Sequence, residues 1–220
     1  SDRVAALITG ADNFGQTLVD RWRYAEGVRT NRGSILGDAG TAMAVSRRPG
    51  VAQLLAVGSA SLPDLEQMYR GDRALFPLAR DEGRSLDYGP RITRFAGRWP
   101  DEFAEAKQRL ADTRTALARR TLDEAQVSVA DIARVTHVLA GNPGYVRAVL
   151  GPLGIDPARG MLDFGRRVGH LGVNDHIAAL DHLLATREVV AGDRILMLGN
   201  GVGIGLSCAV LEILPARSSR

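Results

Sequence analysis

The stretch Asp193-Arg-Ile-Leu-Met-Leu-Gly-Asn-Gly-Val-Gly-Ile-Gly-Leu-Ser-Cys-Ala-Val-Leu-Glu-Ile213 decides how the rest of the chain is read. An apolar run reaches glycines at alternate positions, Gly199, Gly201, Gly203 and Gly205, and leaves as a second apolar run. Alternate glycines strip one face of the chain of side chains and let backbone N–H groups approach a ligand closely. A dinucleotide loop would have to open a helix whose N-terminus holds pyrophosphate. Here the residues after the glycines, Leu206 to Ile213, are strand-like. The pattern therefore predicts a hairpin lining a site with backbone amides.

Outward from that hairpin, the last third of the chain is regular. Val129-Ala-Asp-Ile reads as a short helical turn, Arg134–Leu139 as a strand, and Tyr145–Leu153 as a helix stopped by Gly154. Gly169-His-Leu-Gly-Val-Asn-Asp175 opens a helix over His176–Arg187, with Ile177, Leu180, Leu183 and Leu184 on its apolar face. Upstream, Asp101–Ala118 carries a helical stripe of Phe103, Ala106, Leu110, Thr113 and Leu117, with Thr121 to Glu124 continuing or capping it. The region Leu62–Pro100 has a weak pattern and reads as a lid, an insertion or an interface. Val4–Thr9 reads as a buried strand after an abrupt start at Ser1, followed by a loop and a short amphipathic segment around Leu18–Trp22. Ser34–Ser46 reads as a glycine-punctuated strand, and the turn Arg48-Pro-Gly50 leads to a further strand over Ala52–Ser59. Alternating β and α units predict an α/β fold with mixed sheets covered by helices.

Composition narrows the function classes. The chain has 220 residues, 45% hydrophobic and 24% charged, ordinary for a globular protein with a core of normal size. No run approaches the ~18 apolar residues of a membrane span, and the N-terminus shows no signal-peptide pattern. The single Cys208 forms no internal disulfide, which fits a cytoplasmic location. The net charge of +3 is almost all arginine, with Lys107 the sole lysine, and the basic residues are scattered among acids. Neither nucleic acid nor membrane is an expected partner.

Few side chains stand where chemistry needs them. His137 ends a predicted strand before the turn Ala140-Gly-Asn-Pro-Gly144; it is either a base at a strand end or a histidine satisfied by a carbonyl. His170, Asn174 and Asp175 cluster at the mouth of a helix. Asp175 is a natural N-cap, and it could also orient a histidine. His176 and His182 are six apart, wrong for two ligands on one helical face, and no metal site is expected. Cys208 lies mid-strand, far from any helix N-terminus, and reads as a packing residue. The inventory is a candidate base, a candidate carboxylate and an oxyanion-binding loop, without a nucleophile.

In this order, those segments resemble the ketoacyl-acyl-carrier-protein synthase III family of the thiolase fold. Ala6-Leu-Ile-Thr-Gly-Ala-Asp12 is similar to the strand after the family's nucleophile helix, and Leu36-Gly-Asp-Ala-Gly-Thr-Ala-Met-Ala-Val45 to its Gly-Asp-Gly-Ala-Gly-Ala strand. Thr136-His-Val-Leu-Ala-Gly-Asn142 is placed like its His-Gln-Ala-Asn motif, and the terminal hairpin matches its closing glycine loop. Ala11-Asp-Asn-Phe14 and the Gly169–Asp175 segment look more like a divergent acyltransferase branch of bacterial secondary metabolism.

The resemblance implies a layered αβαβα architecture with mixed sheets, without the N-terminal nucleophile helix. Residues 1–60 would be the remainder of the N-terminal half, 61–100 the lid or interface region and 101–220 the C-terminal half. It implies catalytic roles for His137, Asp175, His170 and Asn142, with a backbone N–H near Gly201 and Val202 completing an oxyanion hole. His170 stands where the main family has Asn, which favours plain acyl transfer over decarboxylative condensation. A coenzyme A thioester or acyl carrier protein would bring the acyl group to a small-molecule acceptor, with no permanently bound cofactor. A homodimer is implied, with Gly37–Val45 near its interface. The family's Cys or Ser nucleophile would lie upstream of Ser1. The alternatives are a non-catalytic thiolase-fold partner subunit and one half of a split synthase.

Overall fold

The computed structural model describes residues 5–15, 20–22, 34–74, 76 and 88–215. The start at Ser1, part of the segment around Leu18–Trp22 and residues 75 and 77–87 of the Leu62–Pro100 region lie outside the described residues.

Among the described residues there are two sheets. Strands β1 (Ala5–Asp12) and β2 (Ala39–Ser46) pair antiparallel as a two-stranded ribbon. Strands β3 (Ala52–Ser61), β4 (Ile132–His137), β5 (Arg194–Gly201) and β6 (Gly205–Ile213) form a mixed sheet in the order β3-β6-β5-β4. Within it β4 and β5 run parallel and the other pairs antiparallel. The glycine-rich stretch is the expected hairpin, with Gly201 opposite Gly205. The turn at Arg48-Pro-Gly50 carries the chain from one sheet to the other.

Six helices follow among the described residues: α1 (Gln67–Arg70), α2 (Tyr88–Arg98), α3 (Pro100–Glu124), α4 (Pro143–Leu150), α5 (Leu162–Val168) and α6 (Asp175–Ala185). Helix α3 starts on Pro100, which needs no hydrogen-bond partner there, and Asp101 and Glu102 complement its first turn. Its buried residues Ala106, Leu117, Ala118, Thr121 and Leu122 pack on β3 and β6. Gly58 permits that approach, since a Cβ there would lie 2.8 Å from Thr121 Oγ1. Alternation along β5 sends Leu196 and Leu198 into the core beneath α3 and α4. Ile195 goes to the opposite core, formed with Leu139, Met161, Ala179 and Leu183. Helices thus cover both faces of the sheet, as α/β packing requires.

The sequence pattern misses α5, because Gly165 interrupts a short apolar period. That glycine is what lets α5 lie against the Leu139 backbone, 3.2 Å from a Cβ built at Gly165. The predicted strand over Ser34–Ser46 is also two pieces. Ile35 and Gly37 bond to Ala140 and His170 through N–H···O contacts of 2.6 to 3.0 Å, whereas Ala39 onward belongs to β2. The break falls at Gly37, where a Cβ would overlap the Val168 carbonyl oxygen. Gly37→Ala is expected to destabilise the protein by about 2 kcal/mol or more through overpacking. Gly50→Ala, with nothing within 4 Å of the new methyl, should change stability by less than about 0.5 kcal/mol. Urea denaturation of the two variants checks the contrast.

Candidate active site

The segment from Gly169 to Asp175 lies at the carboxyl end of β4, in the parallel part of the sheet, where Asp175 takes the Leu139 N–H; α/β sheets commonly place ligands at such strand ends. Gly169 and Gly172 have φ of 79° and 63°, conformations that favour glycine. A Cβ at Gly169 would lie 2.8 Å from the Leu36 carbonyl carbon, and one at Gly172 would overlap the Asp12 carboxylate. The loop is therefore fitted closely against both β1 and the Ile35–Gly37 segment. Asp12 Oδ2 accepts the Val173 N–H at 2.8 Å. Asn174 is fully buried: its Oδ1 accepts from Thr41 Oγ1 at 2.7 Å, and its Nδ2 donates to Ala39 O and Leu171 O at 3.1 and 2.9 Å.

This scaffold brings His170 and Asp175 together. His170 Nδ1 donates to Asp175 Oδ2 at 2.6 Å. The same buried carboxylate accepts the Leu139 N–H at 3.0 Å and the Leu171 N–H at 2.7 Å. The expected N-cap role of Asp175 is not what the structure has. Asn174 occupies the cap position, and Asp175 is the first residue of α6. Its carboxylate reaches back across the loop instead of onto its own helix. The His170 side chain is 28% exposed, and its Nε2 has no hydrogen-bond partner among the described residues. Phe14, fixed through its N–H to Asp38 at 2.7 Å, lies with its ring 5.7 Å from that of His170. The arrangement is that of a carboxylate-oriented imidazole with its outer nitrogen open, suited to general base chemistry.

His137 sits differently from the expected base. It is buried, its Nδ1 donates to Val138 O at 2.8 Å, and its Nε2 accepts the Met161 N–H at 2.9 Å. Burial lowers its pKa. Both nitrogens are hydrogen-bonded to the backbone, and the ring braces the Gly160–Met161 corner. Asn142 also has a structural task, as N-cap of α4 through Oδ1 and the Tyr145 N–H at 3.1 Å. Gly201 closes β5, and Val202 is exposed in the hairpin turn. Cys208 is buried and its thiol is pushed up to about 11 by desolvation, which leaves it unreactive. Sequence reasoning passed over His176. Its Nδ1 lies 2.8 Å from Thr136 Oγ1, and burial pushes its pKa down to about 4.

Residues 122–213 match the family model for 3-oxoacyl-[acyl-carrier-protein] synthase III, C-terminal. Among solved structures, ChlB3, named as an acyltransferase, is 35% identical with a TM-score of 0.84, covering 98% of this chain and 61% of that one. The 3-oxoacyl-[acyl-carrier-protein] synthase III of Aquifex aeolicus VF5 is 19% identical with a TM-score of 0.67, covering 94% of this chain and 57% of that one. The corresponding protein of Pseudomonas aeruginosa PAO1 is 20% identical with a TM-score of 0.62, covering 98% and 59%. The latter two share the fold alone. No curated protein sequence matches. The chain spans about 60% of these solved relatives. Residues 122–213 are thus similar to the C-terminal part of synthase III proteins, and the chain shares the mixed α/β fold of these solved structures. Among the described residues no helix is long and apolar enough to cross a membrane.

Two stability predictions follow from the geometry. Asp175→Ala leaves two buried N–H groups without an acceptor and should cost about 3 kcal/mol, measurable by chemical denaturation. The folded-state pKa values of His137 and His176 lie below the unfolded value. Below about pH 6.5 the unfolded chain therefore binds more protons. Their stabilising contribution is present above that pH and is lost as the pH falls toward 4. The thermal midpoint should decline over that window, and His176→Gln should shrink the decline.

Proposed function

We propose that this chain carries the base and carboxylate of an acyltransferase. The enzyme takes an acyl group from a coenzyme A or carrier-protein thioester, holds it as an acyl-enzyme and passes it to a small-molecule acceptor. The observation that supports this most is the 2.6 Å contact between His170 Nδ1 and buried Asp175, with Nε2 left open. Asp175 fixes the tautomer that leaves Nε2 a proton acceptor and stabilises the imidazolium formed when it takes a proton.

In the first half-reaction, His170 Nε2 removes the proton of a thiol or hydroxyl nucleophile, which attacks the thioester carbonyl. The C–S bond breaks, and the proton passes to the departing thiolate. In the second, His170 removes the acceptor's proton and the acyl bond to the enzyme breaks. Backbone N–H groups near Gly201 and Val202 face the developing oxyanion. The nucleophile comes from polypeptide outside the described residues, since buried Cys208 packs in the core. A histidine at position 170 in place of the amide implied by the main family favours simple transfer over decarboxylative condensation.

The similarity to ChlB3, named as an acyltransferase, supports acyl transfer; our reading places that transfer in secondary metabolism, as starter-unit loading or ester formation. The protein works in the cytoplasm as a homodimer, with the Gly37–Val45 region near the interface and no permanently bound cofactor.

Incubating the intact protein with a panel of acyl-CoA and acyl carrier thioesters should give a covalent mass increase equal to the acyl group. His170→Ala should slow that acylation by about 10²–10⁴-fold. His137→Gln should lower stability while leaving the rate per folded molecule within a few-fold. No adduct across the panel would overturn the acyl-enzyme in favour of a non-catalytic thiolase-fold partner. A greater loss of rate in the folded His137 variant than in the His170 variant would return the base to His137.

A further inference from the structure

His176 follows Asp175 on α6 and takes no part in the chemistry above. Its ring is held across three strands. Nδ1 lies 2.8 Å from Thr136 Oγ1 on β4. Nε2 lies beside β5, 3.3 Å from where a Cβ would stand at Gly199, and the Ser207 hydroxyl of β6 borders the same spot.

The tautomer follows from hydrogen-bond accounting. Thr136 is completely buried, and among the described residues its hydroxyl bonds only to His176. The hydroxyl proton finds an acceptor only if Nδ1 is the unprotonated nitrogen; otherwise a buried donor goes unmade, at a real cost in stability. The ring is uncharged at neutral pH, because burial outweighs the opposing pull of Asp175, and His137 and His170 lower its basicity further. An uncharged ring with a bare Nδ1 carries its proton on Nε2. That N–H has no hydrogen-bond partner among the described residues.

Gly199 makes room for both groups, since a Cβ there would overlap Ser207 Oγ and lie 3.3 Å from His176 Nε2. Further along the strip, a Cβ at Gly201 would meet only the Gly205 carbonyl oxygen, at 3.8 Å, and one at Gly205 would meet nothing within 4 Å. An oriented N–H therefore stands beside the glycine strip of the hairpin.

We propose that His176 is a catalytic hydrogen-bond donor whose Nε2–H stabilises the oxyanion formed on the acyl carbonyl during attack on the thioester. It rests on the acyl-transfer reading and adds to it a side-chain donor beside the backbone amides. His176 transfers no proton: His170 moves the nucleophile's proton, the carbonyl π pair moves to oxygen, and that pair re-forms the C=O bond as the C–S bond breaks. An uncharged imidazole suits this task, because it donates a hydrogen bond across the working pH range without ionising.

Single-turnover acylation of the intact protein, with 15N-histidine NMR, tests the assignment. In wild type His176 should show an unprotonated Nδ1 and a protonated Nε2, unchanged from pH 5 to 8. His176→Phe, checked for folding by its melting curve, should lower the acylation rate by about 10²–10³-fold with little change in KM. His176→Gln, which keeps an N–H donor, should recover part of that loss. Thr136→Val, which leaves the imidazole in place but frees its tautomer, should lower the rate about tenfold.

A folded His176→Phe protein acylated at the wild-type rate would overturn the role. If that variant does not fold, a wild-type Nδ1–H tautomer, or an unchanged rate in Thr136→Val, would overturn it. A wild-type protein that forms no acyl adduct sinks the acyl-transfer reading and this role together. An acylated wild type beside an unaffected His176→Phe sinks this role alone.

Discussion

One buried carboxylate organises the site. Asp175 accepts from His170 Nδ1, Leu139 N and Leu171 N, at 2.6, 3.0 and 2.7 Å. It thereby joins the segment beyond β4, the glycine loop and the start of α6. A carboxylate out of water is costly unless it is fully hydrogen-bonded. Three donors converging from different parts of the chain meet that demand, and they also fix where the imidazole stands. Gly169, Gly172 and the Asn174 amide exist in this geometry to let the donors converge.

The four histidines illustrate how surroundings divide one side chain among different tasks. His137 is saturated by backbone groups and acts as a corner brace. His182 stacks on Phe164 with ring centroids 4.2 Å apart and lies between Arg167 and Glu188, well along α6 from the dyad. His170 alone pairs with a buried carboxylate while keeping one nitrogen accessible. His176 is held uncharged by burial and by a threonine.

Periodicity made much of this fold legible. The alternate glycines between two apolar runs fixed the β5–β6 hairpin, and the stripe from Phe103 to Leu117 fixed α3. The Gly169–Asp175 cluster was visible as polar residues at a helix mouth. The roles of individual histidines were not legible, because they depend on partners distant in sequence. Met161 N reaches His137 from 24 residues away, and Thr136 reaches His176 from 40. A motif-like setting at a strand end looks the same whether the ring faces a substrate or a backbone amide. Helix α5 was hidden for the opposite reason: the glycine that permits its packing also breaks its pattern.

The β1–β2 ribbon carries an unexpected consequence. Two strands alone are marginally stable in water, and Leu7, Ile8 and Val45 lie exposed on this pair. The ribbon is tied to the glycine loop through Asp12 to Val173 and through Thr41 to Asn174. The loop that holds His170 is thus anchored on the least self-sufficient part of the fold. Movement of the ribbon would therefore be felt first at the His170–Asp175 pair, through Asp12 and Asn174. The main sheet and its helices, with cores of their own, would be untouched by the same movement.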